Sequence, residues 1–208
     1  VANGQNFPGS HPLVAYDVEI AEYDTVEATN AVAHLQKRIE TGEVALAYQE
    51  PHGYLLSLLK ELNVPVASQL LVFSKTSLQR HHISSKSPRA IFFNDRVYVA
   101  WIPTAPMIEI LAFDPRLGAV LYTLEQKKEI RPRPTRNDRC LECHITAKTL
   151  EVPGSLIRSF RTRQQGDVDL LSGDSRAGHR RPIDERWGGW YVTGAYGTLT
   201  HGGNFFSD

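Results

Sequence analysis

The apolar positions change period along the chain. Val32, Leu35 and Ile39 recur at three- and four-residue intervals, the spacing of one helix face. Asp24 or Thr25 is placed to cap a helix running to about residue 40, and Gly42 stands where a C-terminal glycine belongs. Leu55, Leu58, Leu59 and Leu62 repeat the pattern over residues 53–62, before Asn63 and Pro65 end it. From residue 69 the runs shorten. Residues 69–74 form one short apolar run. Residues 90–93 and 97–102 flank Asn94-Asp95-Arg96, and residues 108–113 and 119–124 flank Asp114-Pro115-Arg116-Leu117-Gly118. Both interruptions carry turn residues, so the runs read as antiparallel strands joined by hairpins. The pattern predicts an α+β fold in which two N-terminal helices cover one face of an antiparallel sheet, over residues 1–126.

Residues 127–208 lose this periodicity. Arg131-Pro132-Arg133-Pro134 cannot lie inside a helix or a central strand. Residues 187–193 are the only strand-like piece that follows. The segment is expected to pack with the first part as one domain, around a body that the chain does not supply. Residues 1–23, rich in Gly, Asn and Pro at their start, read as an extended arm.

Composition narrows the possibilities. The 208 residues suit one large domain or two small ones. Lys plus Arg and Asp plus Glu both total 23, which argues against a general nucleic-acid binder or a polybasic membrane anchor. No stretch approaches the roughly 20 apolar residues of a membrane-spanning helix. Two Cys are too few for a four-Cys zinc site or a disulfide framework.

Those two cysteines stand together in Cys140-Leu141-Glu142-Cys143-His144, the C-x-x-C-H attachment signature of a c-type haem. Thiols one helical turn apart can each form a thioether to one porphyrin, and the next imidazole can serve as the proximal iron ligand. A thioredoxin-like redox pair would need a βαβ setting, which these Arg-, Pro- and Gly-containing flanks do not provide. A covalent haem is also a body on which the irregular residues 127–208 can pack. Arginines crowd this region, and some, with Arg139 and Arg158 as candidates, are expected to hold haem propionates. Others would form a docking face for an acidic redox partner.

The sixth iron position stays open. Met107, the single methionine, lies upstream of the motif, and the downstream histidines are His179 and His201. A distal His179 or His201, a distal lysine or Met107, and an open iron all remain. Arg186-Trp187-Gly188-Gly189-Trp190-Tyr191-Val192-Thr193-Gly194 is a second distinctive stretch. Its Trp187 and Trp190, beside paired glycines, suit either contact with a flat porphyrin or an ordinary aromatic core with tight turns.

Three stretches together resemble a family of exported bacterial proteins with a single c-type haem motif. They are Ser87-Pro88-Arg89-Ala90-Ile91-Phe92-Phe93-Asn94-Asp95 with Val97-Tyr98-Val99; the Cys140 to His144 motif; and His179-Arg180-Arg181-Pro182 with the Arg186 to Gly194 run and His201-Gly202-Gly203-Asn204. The resemblance spans roughly residues 50–204. It implies haem and export, and it names no reaction.

The reading that follows is a periplasmic or exported mono-haem cytochrome that transfers single electrons. One alternative is a peroxidase-like haem enzyme or a gas or redox sensor, with His179 and Arg180 or Arg181 acting on a bound ligand. Another is a haem-stabilised binding module that stacks a ligand on Trp187, Trp190 and Tyr191. The chain begins at Val1 without a leader, as a processed chain or a fragment would, and is expected to stop short of the natural C-terminus.

Overall fold

The structure is a computed structural model that describes Tyr23 and residues 25–128, 131–146, 149–150, 152–169, 175–176 and 181–207. Of the arm expected over residues 1–23 all but Tyr23, together with the candidate cap Asp24 and with His179 and Arg180, lie outside the described residues.

The fold is α+β, built on an antiparallel sheet with few helices. Helices α1 (Ala31–Glu40) and α2 (Leu55–Glu61) precede β1 (Leu70–Val72), β2 (Arg89–Phe93), β3 (Val97–Trp101), β4 (Met107–Asp114) and β5 (Gly118–Glu125). Then come β6 (Thr135–Arg136), a short helix α3 (Leu141–His144), β7 (Arg158–Ser159), β8 (Ser175–Arg176) and β9 (Trp190–Tyr191). Seven strands form one sheet in the order β6-β5-β4-β3-β2-β1-β9, with antiparallel neighbours throughout. Strands β7 and β8 pair separately.

The hairpins fall where the turn residues put them. Asn94 Oδ1 accepts from the amides of Arg96 and Val97, and Asp114 Oδ1 accepts from those of Arg116 and Leu117. Helix α1 starts later than its periodicity suggests. Its cap is Asn30, whose Oδ1 accepts from the amides of Val32 and Ala33 at 3.0 and 3.1 Å. A tertiary contact accounts for the delay. The Thr29 amide donates to Asp114 Oδ2 at 2.6 Å, which holds the preceding turn onto the β4–β5 hairpin.

Alternation along the central strands gives the sheet two faces. Ala90, Phe92, Val97, Val99, Ile108 and Ile110 share one buried core with Leu35 and Ile39 of α1 and Leu55, Leu58 and Leu59 of α2. Each Val, Leu, Ile or Phe among them contributes roughly 1.5–3 kcal/mol of transfer free energy. The other face carries Arg89, Ile91, Tyr98, Ala100, Glu109, Leu111 and Leu121, and it too is largely shielded. This is why β4 and β5 read as nearly continuous apolar runs.

Residues beyond 126 supply both sheet edges. Thr135 and Arg136 escape the Arg-Pro run just far enough to pair with Thr123 and Tyr122. An edge tolerates prolines nearby, because no second ladder needs their missing N–H. At the opposite edge Tyr191 and Trp190 pair with Leu71 and Val72. Among the described residues, no helix is long and apolar enough to cross a membrane.

Asp114 ties the helical layer to the sheet, so its loss should be measurable. Burial opposes its charge, but the amides of Thr29, Arg116 and Leu117 and the Thr29 hydroxyl hold its carboxyl below the usual 3.8. Asp114→Ala is expected to cost about 1–3 kcal/mol at neutral pH, read from urea unfolding midpoints. Because the folded pKa is depressed, the carboxylate's contribution is complete above the unfolded value and is lost as pH falls through the folded one. The gap between wild type and variant should therefore narrow in acid. A gap that stays constant into acid would contradict this role.

Candidate functional site

The cysteine motif reaches the second sheet face by a short path from β6. The Asn137 amide donates to Leu121 O at 3.0 Å, and the Cys140 amide donates to Asn137 O at 3.3 Å. Residues Asp138–Cys140 make a tight turn that runs into α3. Leu141 is 2% exposed and anchors this turn in the main core. Cys140 is buried and Cys143 is exposed, and neither forms a disulfide. Cys140, Cys143 and His144 line one cleft between this turn and the sheet.

His144 is held by the loop that follows it. Its Nδ1 lies 2.8 Å from the backbone oxygen of Gly154. A carbonyl can only accept, so Nδ1 carries the hydrogen and Nε2 keeps its lone pair. The loop is closed by the Gly154 amide, which donates to His144 O at 3.0 Å, and by Thr149 Oγ1, which donates to the same oxygen at 3.3 Å. Burial pulls the imidazole's pKa below its usual value, and the Gly154 bond works against that pull. A neutral ring with a buttressed Nδ1 and an available Nε2 is the state required of an imidazole ligand.

The cleft is partly open to solvent and has a cavity volume of about 190 Å³. Its apolar lining includes Val72, Ile91, Leu111, Leu121, Leu156 and Trp190, and its charged lining consists of Arg89, Glu109 and Arg158. Among the described residues, no three His, Cys, Asp or Glu converge as a metal site would need.

Of the other residues singled out from the sequence, Arg158 and Trp190 line the cleft. The Arg158 guanidinium lies over the Phe160 ring at 4.7 Å, and its backbone oxygen accepts from Trp190 Nε1 at 2.8 Å. Arg139 is exposed and does not line the cleft. Trp187 packs edge-on against Trp190 with ring centres 5.9 Å apart and is not part of the lining. Tyr191 donates its hydroxyl to Ser85 O, and Arg181 pairs with Glu185 at 2.6 Å. His201 accepts from the Gly203 amide at Nδ1 and packs on Tyr196, with ring centres 4.4 Å apart. Neither His201 nor Met107 lines the cleft.

The sequence reading passed over Arg89 and Glu109. Arg89 is 15% exposed and Glu109 18% exposed at the side chain, and their charged ends are 3.7 Å apart. A signal was available. Arg89 opens an otherwise apolar β2 and Glu109 stands within the apolar run of β4, and a half-buried charge at such a position needs a partner across the sheet. Gly154 was also missed, since a backbone carbonyl leaves no trace in residue type.

The paired glycines admit protein. A Cβ on Gly188 would lie 2.5 Å from Phe160 O, and one on Gly189 would lie 2.7 Å from Ser74 Cβ. Gly189 also has φ of +83°, and its oxygen accepts from the amides of Phe73 and Ser74. These contacts hold the β9 segment, and Trp190 with it, against the cleft wall.

No family model, curated protein or solved structure matches the chain.

Gly189→Ala should lower stability by about 1–3 kcal/mol or more, because strain at positive φ is joined by a steric clash. Gly194 is the control: its φ is +98° and nothing lies within 4 Å of an added Cβ. Gly194→Ala should cost less in thermal melts. Equal losses would remove the close packing of β9 as the cause.

Proposed function

We propose that this protein is an exported mono-haem c-type cytochrome that carries single electrons. One observation carries the reading. Both cysteines of the chain and His144 come from one helical turn, line one cleft, and leave His144 Nε2 available while Nδ1 is held by Gly154. Cys140 and Cys143 would hold the haem through thioethers, and His144 would be its proximal ligand. The bound haem supplies a one-electron ferric/ferrous couple. The apolar lining would exclude water from it, and the under-satisfied Arg89 offers donors to its carboxylates. Residues 127–208, with the motif, the Gly154 loop and Trp190, would wrap it against the sheet. Exposed Arg139, Arg161 and Arg163 suit an acidic redox partner.

A second reading is favoured by the Arg89–Glu109 pair on the cleft wall. Charged donors and acceptors at this position suit an exogenous ligand, as in a haem enzyme or a gas sensor with an open distal site. The binding-module alternative finds less support, because Trp187, Trp190 and Tyr191 do not share the cleft.

Protein made in a host that matures c-type cytochromes should keep its colour on a denaturing gel stained for haem. Cys140→Ser and Cys143→Ser should each weaken that band, and the double variant should lose it. A colourless wild-type band would sink the haem reading. Optical spectra with and without carbon monoxide then separate the two haem readings. A low-spin spectrum unmoved by carbon monoxide is expected of the electron carrier, and a high-spin one that shifts belongs to the open site.

A further inference from the structure

Arg89 reaches into the cleft from β2 with more donors than acceptors. A guanidinium carries five N–H groups. Glu109 Oε2 lies 3.7 Å from Nη1, which makes an ion pair but is too long for a hydrogen bond. Arg89 Nε is buried with no acceptor. Glu109 is not free to close this gap. Ser77 Oγ donates to it at 2.6 Å, and Gln79 Nε2 approaches it at 3.3 Å. Gln79 is pinned in turn by the Met107 backbone, to whose oxygen it donates at 2.9 Å and from whose amide it accepts at 3.1 Å. Val72, Ile91 and Ala100 line the cleft beside the pair and offer no side-chain acceptor.

Such an arrangement is costly in isolation. A cation taken from water without acceptors is destabilising, and an unsatisfied buried donor in a native protein calls for a reason. An anionic oxygen entering the cleft supplies one. The planar fork of arginine matches a carboxylate in particular. The fixed Glu109 keeps the fork in place without satisfying it.

We propose that Arg89 is the carboxylate-binding residue of the cleft and that Glu109 is a positioning residue for its guanidinium. The proposal rests on the haem reading in one respect: with haem attached, the carboxylate is a haem propionate. Without haem, it is a free small carboxylate.

The test compares wild type, Arg89→Gln, Arg89→Lys and Glu109→Gln, each purified from a cytochrome-maturing host and checked for folding by circular dichroism. Haem attachment, scored by gel stain, depends on the cysteines and not on Arg89, so it reports the haem reading separately. If wild type carries haem, the propionate bending band in its resonance Raman spectrum should shift in Arg89→Gln. The midpoint potential should fall, because a cation that disfavours the ferric charge has been removed. Arg89→Lys, which keeps the charge and loses the fork, should retain the potential better than the Raman band. Glu109→Gln should move the band while retaining Arg89.

The second arm titrates each protein with acetate by calorimetry. If the Raman band does not move, saturable acetate binding that weakens at least about tenfold in Arg89→Gln would assign the site to a free carboxylate. That same arm decides the matter alone if wild type is colourless. An unmoved band and potential together with acetate binding that is absent, or equal in wild type and Arg89→Gln, would overturn the proposal. Should Arg89→Gln fail to fold, Arg89→Lys carries both arms.

Discussion

The central strands of this sheet are apolar on both faces, and a sheet of that kind must be covered twice. Helices α1 and α2 cover one face with leucine and isoleucine stripes. The second face is bordered by Ser74, Thr76, Ser77 and Leu78 and by residues beyond 126, which contain little regular structure. They meet the demand by borrowing order from the sheet. Strand β6 extends one edge, β9 extends the other, and Cys140, Cys143, His144, Ser155, Leu156 and Arg158 between them border the cleft on that side. The cysteine turn sits where the chain leaves β6, anchored by Leu141 in the main core. The position of the candidate site thus follows from the need to cover a hydrophobic surface.

Coverage by irregular chain is incomplete, and the cleft is what remains. Its walls combine strand side chains with the motif and the loop closed by Gly154. The lining of a void between a sheet and its cover forfeits contacts that a packed core would have. The chemistry of its edges is not that of a packing defect. Two thiols, a buttressed imidazole and a guanidinium short of acceptors all border one space.

The histidine illustrates how the layers combine. Residue spacing places an imidazole one position after the second thiol. The backbone carbonyl of Gly154 then selects which nitrogen is protonated and orients the ring. Neither feature alone specifies a ligand. Together they give a neutral donor whose direction is set by a loop, and the loop is closed by Thr149 and by the Gly154 amide.

Much of this was legible in the chain by itself. Short-range periods located both helices and the two hairpins, because a face repeats every three to four residues in a helix and every two in a strand. The turn chemistry of Asn94 and Asp114 is local, so it survives folding unchanged. The spacing of Cys140, Cys143 and His144 is likewise a property of one turn. What lay opposite that turn was not legible. The pairing of Arg89 with Glu109, the carbonyl that holds His144, the start of α1 after its Asn30 cap and the division of labour between Trp187 and Trp190 all depend on contacts between distant segments. Local sequence determines which way a side chain faces, through the backbone period. Only the tertiary structure decides what it meets there, because the partner is brought in by strand register and loop closure far along the chain.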